Sequence, residues 1–242
     1  MTPKSARFLT AEWRWLAMLN YEVDPKLLLP LVPAGTELDS WQGRTFLSLV
    51  AFRFLNTRVA GLAIPFHRNF DEVNLRFYVR RADGAQVKRG VVFMKEFVPR
   101  RAIAWVARAF YNENYVALPM DHRIDIGEGT VTAEYCWKFS GRVNRAAVRT
   151  AGRSAVPASG SQEEFITEHY WGYATQRDSG TMEYEVEHPQ WRVWSASDFS
   201  VEADFKTLYG VKLGEALHQR PASAFLAEGS AVTVYRGRRI AK

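Results

Sequence analysis

Hydrophobic and polar residues alternate most strictly between Phe70 and Val79, in the run FDEVNLRFYV. Val73, Leu75, Phe77 and Val79 fall on one side of it, and Glu72, Asn74, Arg76 and Tyr78 on the other. A period of two is the spacing of a β-strand, whose successive side chains leave opposite faces of the pleat. The apolar row belongs against a core. The polar row holds a carboxylate, an amide, a guanidinium and a phenol. It forms either a wet sheet face or the wall of a polar pocket, and periodicity leaves both open.

Other segments carry the same period. Thr45 to Leu55 places Phe46, Ser48, Val50, Phe52 and Phe54 on one side. Ala82-Asp83-Gly84 is a turn, after which Arg89 to Val98 pairs back as the next strand. Val131 to Phe139 is a strand, and Ser140-Gly141 turns it toward Arg142 to Thr150. Tyr173 to Gln176, Thr181 to His188, Gln190 to Ala196 and Ala231 to Tyr235 complete the predicted strands.

Helical spacing is sparser. Asp24-Pro25 is a helix start, with an aspartate cap and proline at the first helical position. Pro99 opens a helix to about Tyr111, with Ile103, Val106, Ala107 and Phe110 as its buried stripe. Ser161 with Glu164 forms a capping box for a helix reaching about Tyr170. Ala203 to Tyr209 is a short helix. Neither a repeat nor a linker interrupts the pattern. The expectation is one α+β domain over residues 1–242, β-rich, with a large mostly antiparallel sheet.

Composition supports this. The chain is 47% hydrophobic and 14% aromatic, enough for a large β-rich core. Cys136 is the only cysteine, which excludes an internal disulfide and fits a reducing compartment. Met1 to Trp15 lacks a signal-peptide core, and no run approaches the roughly 20 apolar residues of a membrane span. The protein is therefore expected to be soluble and cytoplasmic.

A net charge of +6 fits either anionic partners or an arginine-rich solvated surface. Arg142, Arg145, Arg149 and Arg153 recur every three or four residues, and Arg236, Arg238, Arg239 and Lys242 crowd the end. Residues between them are Ala, Val, Thr and Gly rather than the aromatics that nucleic-acid surfaces interleave. Solvated surface is the preferred reading.

Several chemistries lack their residues. No two of His67, His122, His169, His188 and His218 are spaced as metal ligands on one element, and no cysteine pair exists. Neither a nucleophile elbow nor a nucleotide-binding glycine motif occurs, so no metal or cofactor is expected. Cys136, beside Trp137 in a strand, reads as a core thiol.

Two ionisable residues stand out. Lys95 alternates with Phe93 and Phe97 and is expected to share their apolar face. Desolvation there lowers an amine's pKa and makes it a nucleophile toward carbonyls; otherwise Lys95 snorkels to the sheet edge or pairs with a carboxylate. Glu72 lining a cavity suits proton transfer, with Arg76 available to an anion; facing water, the two form a cross-strand ion pair. Tyr111 to Tyr115 and His169 to Tyr173 are aromatic-polar clusters at element ends, positions that rim pockets or pack corners.

These motifs together resemble a known family. Asn20-Tyr21-Glu22-Val23-Asp24-Pro25, Val32-Pro33, Gly35-Thr36-Glu37-Leu38-Asp39, Ser48 to Phe52, Phe70 to Val79 and Gly90 to Phe93 occur in the order of the YqjF-like family. That family is similar to the acetoacetate decarboxylase-like superfamily. The resemblance implies a sheet curled into a cone or barrel around a pocket, with a few peripheral helices.

The superfamily's enzymes use a lysine Schiff base helped by a second lysine, a glutamate and an arginine. Glu72 matches the strand glutamate, and Glu22 stands where the substrate-side arginine would be. Pro99-Arg100-Arg101-Ala102 resembles Pro-Lys-Lys-x-Ala, which puts Arg100 at the Schiff-base position. Arginine stays protonated and forms no Schiff base. The resemblance therefore implies a retained pocket without decarboxylase activity.

The resulting expectation is a pocket for a small anionic or carbonyl-bearing molecule. Glu22, Asn74, Arg76, Arg100 and Tyr115 would line it, with Glu72 as acid/base and Lys95 as candidate nucleophile. Two other readings stay open. One is a lyase-type enzyme with Lys95 forming the Schiff base; the other is a non-enzymatic binder of anions or nucleic acid through the arginine clusters. Oligomeric state is left open, a homo-oligomer included.

Overall fold

A computed structural model describes residues 5–99 and 114–241. Its strands are β1 (Arg7–Val23), β2 (Glu37–Leu38), β3 (Thr45–Val59), β4 (Phe70–Asp83), β5 (Gln86–Val98), β6 (Tyr115–Ala117) and β7 (Met120–Gly127). They continue with β8 (Thr130–Phe139), β9 (Arg142–Thr150), β10 (Trp171–Thr175), β11 (Thr181–Glu187), β12 (Val193–Glu202), β13 (Ser223–Tyr235) and β14 (Arg238–Ala241). Seven of these pair in the order β11-β10-β5-β4-β3-β1-β13, and β11 pairs again with β13. The sheet therefore closes into a ring. Its pairs are antiparallel except β10 with β5. Closure removes the open edges that a sheet of this length would expose.

Closure needs bent strands. Pairing of β1 with β3 shifts register between Arg14 and Ala17, and Trp15 there has φ 53°. A second shift, between β4 and β5, leaves Met94 without a cross-strand partner. Such bulges bend a strand and invert the alternation of its side chains.

Strand β12 leaves the ring. Val193 to Ser195 pair with β13, while Ala196 to Glu202 pair with β9. β9, β8 and β7 extend this arm, which folds back over the outside of the ring. Val131, Ala133, Tyr135 and Trp137 of the arm share one core with Leu49, Val73, Leu75 and Phe77 of the ring. A second core fills the ring interior, with Met18, Phe46, Val50 and Phe52. All ten residues from Phe70 to Val79 are consequently buried. Val73, Leu75 and Phe77 are fully buried and contribute roughly 1.5–3 kcal/mol each.

The helices are short. Asp24 caps Pro25–Leu28 by accepting the Lys26 amide at 2.8 Å. Ser161 Oγ accepts the Glu164 amide at 3.2 Å and starts Gln162–Thr167. Glu164 reaches back to the Gly160 amide, at 2.6 Å, rather than to that of Ser161. Phe205–Tyr209 and Val211–Ala216 bury Phe205, Leu208 and Leu213 against the outer core. At the parallel seam, buried Glu183 of β11 accepts from Arg81 (2.9 Å), Lys88 (3.1 Å) and Arg238 (2.9 Å).

The expected strand-rich sheet, curled with helices at its periphery, is the observed architecture. β1, β2, β6, β7, β14 and the helix Val211–Ala216 add to the predicted elements. The last predicted hairpin strand starts at Val193 rather than Gln190, and runs on to Glu202. The helix expected from Pro99 to Tyr111 lies outside the described residues beyond its first position. No described helix is long and apolar enough to cross a membrane.

Candidate functional site

The polar row of β4 faces the interior of the ring. On β3, Phe52, Val50 and Ser48 lie opposite Glu72, Asn74 and Arg76. On β5, Glu96, Phe93 and Val91 lie opposite Asn74, Arg76 and Tyr78. Between these strands and the far wall is a cavity of about 160 Å³. Most of its lining is apolar. Trp13 stands edge-on to Phe52, Phe54 and Trp191 at 5.4, 5.6 and 6.2 Å, and Phe54 stacks on Phe70 at 4.5 Å.

Glu72, Asn74, Arg76 and Tyr115 all line this cavity. Asn74 Nδ2 donates to Glu72 Oε1 at 3.0 Å, and the Tyr115 hydroxyl to Glu72 Oε2 at 3.2 Å. The first bond fixes the amide orientation, because a carboxylate only accepts. It leaves Asn74 Oδ1 buried without a donor.

Arg76 is buried with little to hold its charge. Its Nη2 reaches the Ile166 carbonyl at 3.4 Å, and its guanidinium lies 5.7 Å from the Tyr78 ring centroid. Arg76 Nε has no partner, and no carboxylate pairs with this arginine among the described residues. Beyond it the polar row ends in a closed chain. Tyr78 donates to Ser48 (2.6 Å), Ser48 to Asn20 (2.6 Å), and Asn20 to Ser223 (3.1 Å).

Three histidines, His67, His169 and His188, complete the lining, and the last two are buried. Helix Gln162–Thr167 delivers His169 against Tyr78, with ring centroids 4.7 Å apart. His169 Nε2 lies 3.5 Å from Asp39 Oδ2, at the limit of a hydrogen bond, and Nδ1 has no partner. Burial pushes the His169 pKa down to about 4, with Arg89 and Arg76 acting in the same direction. Burial pushes Asp39 up, but bonds to His169 and Arg89 outweigh it and hold the carboxyl at about 2. His188 donates to the Pro189 carbonyl at 2.9 Å and stacks on Trp191 at 4.2 Å. Burial lowers its pKa to about 4 as well. Both imidazoles are neutral at pH 7.

The cluster His169 to Tyr173 signalled part of this wall, since His169 and Trp171 line the cavity. Nothing in the local pattern marked His188 or Asp39. No group of described residues is arranged to hold a metal ion.

Lys95 lies elsewhere. The bulge at Met94 pairs Lys95 with Leu75, whereas Phe93 pairs with Arg76. Lys95 therefore shares a face with Phe97 but not with Phe93, which corrects the expected alternation. Its Nζ donates to the Leu208 carbonyl and lies about 6 Å from the Phe97, Phe139 and Tyr209 rings. Burial does lower its pKa. The amine nevertheless points into the outer core, away from Glu72.

Glu22 is exposed at the end of β1, where Arg44 holds it at 2.5 Å. It does not reach the cavity. Arg100 and Tyr111 lie outside the described residues. Cys136 is half-buried on the arm, where burial raises its pKa.

Comparison with known proteins gives a family and a fold. The model of the DUF2071 family, described as an uncharacterized conserved protein, matches residues 10–231. The uncharacterized protein YqjF of Bacillus subtilis (strain 168) is 26% identical over 218 residues, spanning 88% of this chain and 86% of YqjF. Among solved structures, acetoacetate decarboxylase from Legionella pneumophila superposes with a TM-score of 0.66 at 14% identity. That match covers 100% of this chain and 90% of the other. The enduracididine biosynthesis enzyme MppR with HEPES bound gives 0.67 at 14% identity, covering 100% and 89%. MppR complexed with pyruvate gives 0.65 at 13% identity, covering 98% and 91%. At these identities the likeness establishes the acetoacetate decarboxylase-like fold.

Proposed function

The chain belongs to the DUF2071 family of uncharacterized conserved proteins, and from that footing we propose that its ring binds a small organic anion at Arg76. One observation carries the reading: Arg76 is a buried cation on a mostly apolar cavity, with no carboxylate paired to it among the described residues. Burying an unpaired charge costs several kcal/mol, and a bound anion offsets that cost. The carboxylates that share the cavity, Glu72 and Glu96, form no hydrogen bond or ion pair with Arg76, and Glu72 is held by Asn74 and Tyr115.

Glu72 is the group for proton transfer. It is fixed on the cavity wall by Asn74 and Tyr115. Pyruvate, bound in one neighbour of the same fold, is a small organic anion and serves as a probe of the anchor. Lys95 has no part in this chemistry, because its amine lies across the sheet from Glu72. Schiff-base decarboxylation through Lys95 is accordingly left out of the proposal. Binding through the surface arginines is also disfavoured, because Arg142, Arg238 and Arg239 are paired with Asp204, Glu183 and Asp178.

Calorimetric titration with pyruvate and with acetate tests the reading. Binding by the native protein that Arg76→Gln abolishes supports it. Binding that survives this substitution refutes it. Borohydride treatment during the titration is expected to leave Lys95 unmodified by mass spectrometry.

A further inference from the structure

The cavity's unpaired atoms and its apolar box together specify more than an anion. We propose that the ligand is a 2-hydroxy acid carrying one aromatic ring, with carboxylate on Arg76, hydroxyl on Asn74 and ring in the box around Trp13. This rests on the assignment of Arg76 as the anion anchor.

The ring follows from volume and shape. An apolar cavity of about 150 Å³ takes up one benzene molecule. The cavity here, about 160 Å³, is of the size that takes one such ring, and it is partly open rather than sealed. Trp13, Phe52, Phe54 and Trp191 line it and pack on one another at centroid separations of 5.2 to 6.2 Å, so together they form one aromatic wall of the cavity. Those are the distances at which aromatic rings attract through their edges and faces. A bare two- or three-carbon acid would leave these walls unfilled, and a chain of many carbons would not fit.

The hydroxyl follows from hydrogen-bond accounting. Asn74 Oδ1 is an acceptor because its Nδ2 is committed to Glu72. His169 Nδ1 is an acceptor when Nε2–H faces Asp39. Both atoms are buried and lack donors. The ligand must therefore present a donor near its anion. A hydroxyl supplies that donor without adding charge beside the Arg76 guanidinium. A keto oxygen would only accept, and would leave Asn74 Oδ1 unpaired. An unpaired buried acceptor is the arrangement sites use to reject analogues that lack a donor.

Three probes titrated calorimetrically into the native protein test this: 3-phenyllactate, 3-phenylpropionate and lactate. The ring is expected to make phenyllactate bind roughly 10- to 100-fold tighter than lactate. The hydroxyl is expected to make it bind roughly fivefold tighter than phenylpropionate. Lactate binding as tightly as phenyllactate overturns the aromatic assignment, and phenylpropionate binding as tightly overturns the hydroxyl assignment. In both cases loss of binding in Arg76→Gln shows that the anion anchor itself stands. Probes that fail to bind, or bind Arg76→Gln equally well, overturn anchor and inference together.

Discussion

Replacing Arg76 with methionine should stabilise the ligand-free protein while destroying its affinity for anions. Arg76 lies among buried side chains, and its hydrogen bond to the Ile166 carbonyl is long at 3.4 Å. Desolvating a guanidinium costs several kcal/mol. The contact with the Tyr78 ring returns about 1 kcal/mol, and the single carbonyl bond about another. A methionine fills much of the same volume and loses neither a countercharge nor a strong bond. The net gain is about 1–3 kcal/mol, the range seen when buried ionic groups are replaced by apolar ones. For a chain of 242 residues, each kcal/mol moves the melting temperature by about 2–4 °C. Thermal unfolding in a buffer free of carboxylates and phosphate should therefore show Arg76→Met melting several degrees above the native protein. Added phenyllactate should raise the melting temperature of the native protein alone. If Arg76→Met melts well below it, the guanidinium is a structural element, and the idea of an anchor held unsatisfied for a ligand is wrong.

Other consequences follow from the same contacts. Gly229 has φ 74°, and an added Cβ would fall 1.9 Å from the Trp13 carbonyl oxygen, so Gly229→Ala should lose about 2–4 kcal/mol in urea unfolding. Glu183→Gln removes the buried one of two carboxylates, the other being Asp83, that pair with Arg81, Lys88 and Arg238, and should cost about 1–3 kcal/mol by the same measurement. His169 and His188 titrate near 4 when folded and near 6.5 when unfolded. The unfolded chain then binds more protons between these limits, so stability should fall as pH drops from about 6.5 to 4. His188→Gln should shallow that slope by one proton, measured from unfolding free energies across the window. Phe93→Lys places an amine opposite Arg76 inside the cavity, and borohydride with pyruvate should then trap an adduct at residue 93 that the native Lys95 does not form.

Legibility in the sequence tracked the distance over which each cause acts. The strand Phe70 to Val79 was plain because its alternation is local, and the caps at Asp24 and Ser161 were plain for the same reason. Enclosure of its polar face was not, because the walls come from β1, β11 and residues 167–191, remote in sequence. β1 itself escaped notice: Leu16 to Tyr21 is buried on both faces and shows no alternation. Lys95 was misplaced for a smaller reason. One unpaired residue, Met94, reverses the parity of the strand, and sequence does not mark a bulge made by an ordinary side chain. Glu22 has inward parity, yet it sits at the strand end where Arg44 claims it.

The placement of charge, more than its presence, separates this pocket from Schiff-base chemistry. The chain owns an amine of lowered pKa in Lys95 and a well-held carboxylate in Glu72, two parts of such a mechanism. They occupy opposite faces of one sheet: pairing runs unbroken from Val73 with Phe97 to Leu75 with Lys95, which puts Lys95 on the outward parity of Leu75. What lines the cavity is the cation of Arg76, the carboxylates of Glu72 and Glu96, the first tied to an amide and a phenol, and the imidazoles of His67, His169 and His188. That set can neutralise an anion, accept a hydroxyl proton's hydrogen bond and move a proton at Glu72. Its described members include no primary amine, which accords with the proposed acid–base role of Glu72 rather than with a covalent imine.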